Sequence, residues 1–327
     1  MLKGKGGAIF QPAFFALVMS LGILSTSSFL NGFILLSDVL LYAAAIAFIS
    51  GAVVILAKTA SHTIRGICRT YECRYGAFTI SSGLSVMLTR IAIGNAGNLS
   101  FNIVEDFVLL VVLIGIITPA MFGKIINSQG KIDSGLTNYP IAILAFSIAL
   151  LHTFPDGSLY SHVVTYIALA AAVLSILIFF RFQLTLLITY AGNRLKNIVT
   201  DGGIFINMGY PALCSIFFVQ AVQSLEGSIS TGFTTLVLLI SLSFWIYSTA
   251  WYIPAIIAYV TGNGNHHFVT SKFAIVFPAG VYSTATYMIS RIYFHYLERL
   301  SVMVLFGGLA VLLVVLVELA LSPVMPA

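Results

Sequence analysis

Catalysis begins with nucleophiles, titratable groups and metal ligands, and this 327-residue chain holds few of them. Its three cysteines are Cys68, Cys73 and Cys214. Cys68 and Cys73 share a basic loop, but no second pair completes a zinc set, so they read as free thiols on the reducing side of a membrane. The six histidines, His62, His152, His162, His266, His267 and His295, fall in or beside loops and helix ends. From a loop, adjacent His266 and His267 do not easily turn both rings to one ion, and they read as solvated. No nucleophile sits at a spacing that pairs it with a base. The sequence therefore predicts no catalytic residue, no metal site and no cofactor. Proton-coupled carriers place carboxylates or histidines inside the bilayer. Here Arg90, Glu105, Asp106, Arg181 and Glu298 sit near the ends of apolar segments, and Glu318 lies close to the end of the last one. What remains within those segments is hydroxyl groups, aromatic rings and prolines. Such groups pass a solute without making or breaking its bonds.

The elements that must position them follow from composition. Hydrophobic types make up 59% of the chain and charged types 8%, against roughly 25% charged in a soluble domain. So few charges cannot cover the surface of a soluble protein of this length, which excludes a soluble enzyme, a disordered chain and a nucleic-acid binder. The apolar runs are about 20 residues long, the length of a membrane-crossing helix rather than a barrel strand. Ten such spans are predicted near 9–28, 36–57, 76–93, 103–123, 136–153, 160–180, 203–222, 231–258, 269–290 and 300–321. Lys3 and Lys5 precede the first, which reads as a retained helix and not a cleaved signal. No linker much exceeds about 20 residues, so residues 1–327 read as a single transmembrane domain. The N-terminus and the loops after spans 2, 4, 6 and 8 hold 12 of the 15 Lys and Arg residues, leaving only Arg90, Arg291 and Arg299 for the other side. By the positive-inside rule both termini are cytoplasmic.

The odd-numbered spans are centred about 65 residues apart, and most intramembrane prolines keep that beat. Pro12, Pro140, Pro211 and Pro278 fall in spans 1, 5, 7 and 9, and span 3 carries Ser81, Ser82 and Gly83 in place of a proline. Pro119 and Pro254 fall outside the pattern. Odd spans mix Gly, Ser, Thr and Met with aromatics; spans 2, 6 and 10 are plainly aliphatic. Small and polar residues belong where helices meet helices or a cavity, and uniform aliphatic faces belong in lipid. The expected fold is therefore all-α: ten transmembrane helices as five tandem helical hairpins, odd helices lining a central pore and even helices outside. The prolines serve as pore kinks. Helical spacing offers Phe273, Phe277, Gly280 and Thr284 on span 9 and Phe15, Met19, Gly22 and Thr26 on span 1 as lining residues. Leu144, Phe146 and Ser147 on span 5 and Ser215 on span 7 complete the set.

Two motifs carry a resemblance. FFALVMSLGILS, residues 14–25, and KFAIVFPAGVYSTATY, residues 272–287, resemble the first and ninth helices of the tellurite-resistance/dicarboxylate transporter family. That family includes bacterial tellurite-resistance proteins, yeast malate and sulfite transporters and plant guard-cell slow anion channels. The resemblance implies a homotrimer with a pore in each protomer along a pseudo-fivefold axis. It also implies a gating phenylalanine, which falls on Phe277, and a multi-pass place in a bacterial or archaeal-type cell (inner) membrane. Ser20 stands where many members have Gly, and span 3 lacks the proline. Two functions stay open. One is an anion channel or uniporter passing chloride, nitrate or a similar small anion. The other is a secondary carrier for C4-dicarboxylates such as malate, for sulfite or for tellurite-type oxyanions. The scarcity of buried titratable groups favours the first.

Overall fold

A computed structural model of the chain describes residues 15–60, 71–94, 138–153, 159–192, 203–225, 229–261 and 273–321. These residues form helices and no strand: α1 (Phe15–Leu30), α2 (Ile34–Ala60), α3 (Tyr71–Gly94), α4 (Asn138–Thr153), α5 (Leu159–Gly192), α6 (Gly203–Ser224), α7 (Thr231–Thr261), α8 (Phe273–Ile292) and α9 (Leu297–Leu321). They fall on nine of the ten expected spans. The span at 103–123 lies outside the described residues, as do Pro12, Cys68, Cys73, Glu105, Asp106, His62, His266 and His267. One boundary differs markedly. The expected sixth span, 160–180, continues through Arg181 to Gly192, because the apolar stretch after Arg181 holds no Pro or Gly until that end. At about 1.5 Å per residue α5 is about 50 Å long, more than the roughly 30 Å hydrocarbon core requires.

Packing sorts the helices into two sets. The helices α1, α3, α4, α6 and α8 touch in that order, and α8 returns to α1, closing a ring of five. The other four lie outside it, each packed on the ring helix before it in sequence: α2 on α1, α5 on α4, α7 on α6 and α9 on α8. Burial follows the same division. In α1 every residue from Phe15 to Ser28 is buried. The outer helices α2, α5, α7 and α9 are long and apolar enough to cross a membrane and keep most of that surface open, including Leu35, Leu177 and Met303. An apolar face left open in a bilayer is matched to lipid or to another protein, since neither costs it a hydrogen bond.

Hydroxyl groups tie each of these sequential pairs. Ser25 and Ser37 exchange bonds to each other's carbonyls at 2.6 and 2.7 Å, joining α1 to α2. Ser241 on α7 donates to the Ser215 carbonyl on α6 at 2.9 Å. Ser283 and Ser301 exchange bonds at 2.8 and 2.9 Å, joining α8 to α9. Ser175 on α5 donates to the Pro140 carbonyl on α4 at 2.6 Å. In a membrane such bonds contribute about 0.6 kcal/mol each on average, so these six set register more than they set stability. The turn from α1 to α2 is equally local. Gly32 takes φ +85°, a left-handed conformation that a Cβ disfavours. Phe33 N–H then reaches back to the Ser28 carbonyl at 2.8 Å, closing the helix end.

The ring is drawn tight by missing side chains. A Cβ on Gly22 would lie 3.2 Å from Val86, one on Gly209 would lie 3.1 Å from Pro278, and one on Gly280 would lie 2.7 Å from Ile23. These are the α1–α3, α6–α8 and α8–α1 seams. Pro211 and Pro278 stand inside α6 and α8, where each removes a helical hydrogen bond. Pro140 instead occupies the first turn of α4, where no i−4 bond is lost, so it does not kink the interior of that helix.

Candidate functional site: an axial cavity

All five ring helices contribute to one small cavity. α1 supplies Ile23 and Thr26, α3 Val86 and Thr89, and α4 Ala145 and Ile148. α6 supplies Leu213, Ile216 and Gln220, and α8 Thr284. A space walled by every member of a closed ring lies on the ring's axis. The contributions recur at i, i+3 or i+7, so each helix turns one stripe inward. The volume is about 20 Å³, close to what one water molecule needs. Among the described residues its walls are apolar except for three threonines and one glutamine.

The threonine hydroxyls are committed to their own helices. Thr26 donates to the Gly22 carbonyl at 3.1 Å, Thr89 to Ser85 at 2.9 Å and Thr284 to Gly280 at 3.0 Å. Their methyls and oxygen lone pairs are what remains to face a solute. Gln220 is 3% exposed, and its side-chain oxygen has no hydrogen-bond partner among the described residues.

Phe277 is 1% exposed and belongs to the same apolar cluster as the cavity walls Ile23, Val86, Ile148, Leu213 and Ile216. It lies seven residues before Thr284. Seven residues are two helical turns, so both side chains leave α8 on one face, about 10 Å apart along the axis. Met19 stands in the same relation to Thr26 on α1, and it and Leu144 are members of that cluster too. Helical spacing thus puts Met19 and Phe277 on the faces of α1 and α8 that carry Thr26 and Thr284, two turns nearer the helix N-termini.

Other expected lining residues have different neighbours. Phe15 meets Phe48 of α2 edge-on at 5.5 Å, and Phe15 and Phe273 belong to a second cluster that reaches α2 and α9. Ser215 pairs with Ser241 of α7 at 3.0 Å, on the outer side of α6. Gly22 and Gly280 face helix seams. Ser147 donates to the Ile143 carbonyl of its own helix at 2.9 Å, and half-buried Phe146 packs against the central cluster. Thr26 and Thr284 are the expected residues that line the cavity directly. Thr89 and Gln220 were not singled out in the sequence, although both stand near the C-terminal ends of odd spans, as Thr26 does.

Arg90 is a buried charge that sequence reasoning placed only near a helix end. It is 4% exposed. Its Nε donates to Ser37 Oγ at 2.5 Å and its Nη2 to Asp38 Oδ1 at 2.8 Å. The guanidinium also lies over the Phe29 ring, 4.1 Å from its centroid. Paired in this way, the cation clamps α3 to the α1–α2 turn.

The four long apolar helices mark a multi-pass integral membrane protein. Residues 9–321 match the family model described as voltage-dependent anion channel. No curated protein matches the chain.

Proposed function

The chain belongs to the voltage-dependent anion channel family, the same family that its first- and ninth-helix motifs resemble, and on that premise we propose that each protomer is a channel or uniporter for small anions such as chloride and nitrate. The observation that carries this reading is the axial cavity walled by all five ring helices. Ten helices in five hairpins, with the odd ones around the passage, is the architecture we assign. A closed ring of α1, α3, α4, α6 and α8 supports it. Phe277 is the gate of this passage in this reading, because helical spacing puts it on the face of α8 that carries Thr284 and it belongs to the apolar cluster that includes the cavity walls. An apolar constriction opposes ions by staying dry even where it is not sealed. Pro278 and Gly280 beside the ring permit the local bending that would move it. The axis carries no fixed charge among the residues that wall the cavity, so an ion passing there is held weakly and released quickly.

The assembly is a homotrimer in this reading, with the open faces of the outer helices in lipid or against neighbouring protomers. Both termini face the cytoplasm, following the 12-to-3 division of Lys and Arg. A cysteine introduced at Gly157 is then labelled only from outside the cell, and one at Ser61 only from the cytoplasm. Labelling of both from one side overturns the topology.

Recordings in planar bilayers test the function. The reconstituted protein should pass chloride and nitrate with reversal potentials that follow the anion gradient. Flux of malate or sulfite that needs a proton gradient, without channel-size current, would favour the carrier alternative.

A further inference from the structure

The cavity wall poses a chemical mismatch for an anion. An anion entering it exchanges water hydrogen bonds for whatever donors the wall offers. The Thr26, Thr89 and Thr284 hydroxyl protons are directed at helix carbonyls, which leaves oxygen lone pairs and methyls facing inward. Lone pairs repel an anion. Gln220 is different. It stands near the C-terminal end of α6, lines the cavity, is almost wholly buried and has a side-chain oxygen with no partner among the described residues. Buried polar atoms are nearly always paired, and an unpaired one marks a place where a water or ligand supplies the partner. A carboxamide carries two N–H donors on one side and an acceptor on the other, and a half-turn of its last torsion exchanges them.

Resting on the channel reading, we infer that Gln220 is the specificity-determining contact of the axial passage. Its N–H groups replace part of the lost hydration of a monovalent anion, and its oxygen serves water when the site holds none. The desolvation penalty of an ion grows with the square of its charge, and a neutral amide cannot offset it for a divalent oxyanion. The inference thus deepens the proposed function to a class of substrate: small monovalent anions, with chloride more dependent on the amide than weakly hydrated nitrate.

The test uses the full-length protein in the Phe277→Ala background, with two independent readouts. Reversal potentials under mixed chloride and nitrate give the permeability ratio. The melting midpoint in sodium nitrate or chloride, against sodium gluconate of equal ionic strength, reports binding without any need for current. Gln220→Leu keeps the volume and removes the donors. It is expected to raise the nitrate-to-chloride permeability ratio about threefold by lowering chloride passage, and to remove the anion-specific rise in melting midpoint. Gln220→Glu is close in shape but places an acceptor-only charge on the axis, and is expected to cut anion current at least about tenfold. Leu177→Ala, on the exposed face of α5, should leave both readouts unchanged.

Unchanged ratio and unchanged stabilisation in Gln220→Leu overturn the inference while leaving the channel reading intact. Loss of the anion-specific stabilisation in a protein that passes no current in any form supports the binding site and overturns the channel reading instead. If Gln220→Leu does not fold, Gln220→Glu decides by the same two measurements, and full anion current through it overturns the inference.

Discussion

Phe277→Ala is expected to raise anion conductance at least about tenfold, equivalent to lowering the barrier by about 1.4 kcal/mol. Phe277 leaves α8 on the face that carries Thr284 two turns later, and Thr284 lines the axial cavity. In the gate reading, removing the benzyl group widens the passage two turns from the cavity, where water can enter. A hydrated void costs less stability than a dry one, so the protein should fold. Phe179 makes the contrast. It is 2% exposed, lies on α5 and stacks on Tyr210 of α6 with ring centroids 4.0 Å apart. Tyr210 in turn bonds Ser175 at 2.8 Å. Phe179 belongs to the same apolar cluster as Phe277, but it sits on outer helix α5 and its ring is spent on the α5–α6 stack, so Phe179→Ala leaves a packing void at that contact and should cost about 3–5 kcal/mol, seen as lost yield and a lower melting midpoint without added current per folded protein. Equal currents and equal destabilisation in the two variants would sink the gate.

The contrast also separates what was legible in the residues from what was not. Span positions were legible because membrane helices are long, apolar and bounded by charge, and nine of them recur as helices. The contrast between mixed and plainly aliphatic spans is legible in the residues, because hydroxyls and glycines collect where helices meet, and among the described helices the more exposed set is the aliphatic one. Facing was not. In an ordinary surface helix a polar stripe marks the outside, but α1 is buried all round from Phe15 to Ser28 and has no such stripe. Helical spacing offers Gly22 and Gly280 as pore-lining, and small residues suit a narrow passage. They equally suit a tight seam, and the structure places both at seams. Ser215 was read as lining, yet its partner Ser241 lies on the outer helix α7. Conversely, Gln220 and Thr89 carried no motif, and only the meeting of five helices at one cavity distinguishes them. Arg90 shows the same limit. Its number placed it near a helix end, but only the fold supplies Ser37, Asp38 and Phe29 to hold it.

The seam at Gly280 leads to the second large effect, because it couples packing to the passage. A methyl group there would lie 2.7 Å from Ile23 Cγ2, closer than carbon atoms approach, and 3.4 Å from the Leu24 backbone nitrogen. The backbone of α1 cannot retreat without pressing into α3, where Gly22 already lies against Val86. The strain therefore falls on the Ile23 side chain, and Ile23 is itself a wall of the axial cavity. Gly280→Ala is expected to cost about 1–3 kcal/mol by overpacking. It should also narrow the passage, lowering anion current in the Phe277→Ala background. The offending atom is the β-branch of isoleucine. Leucine has the same number of carbons but no second substituent on Cβ, so Ile23→Leu removes the clash at nearly constant volume. The double variant Gly280→Ala/Ile23→Leu should recover most of both the melting midpoint and the current, although Ile23→Leu alone improves neither. A thermodynamic cycle over the four proteins measures the coupling, and residues in direct contact are expected to couple by more than about 0.5 kcal/mol. Additive effects would mean that α1 and α8 do not meet through this pair. Restored stability without restored current would place Ile23 in the seam alone and remove it from the wall of the passage.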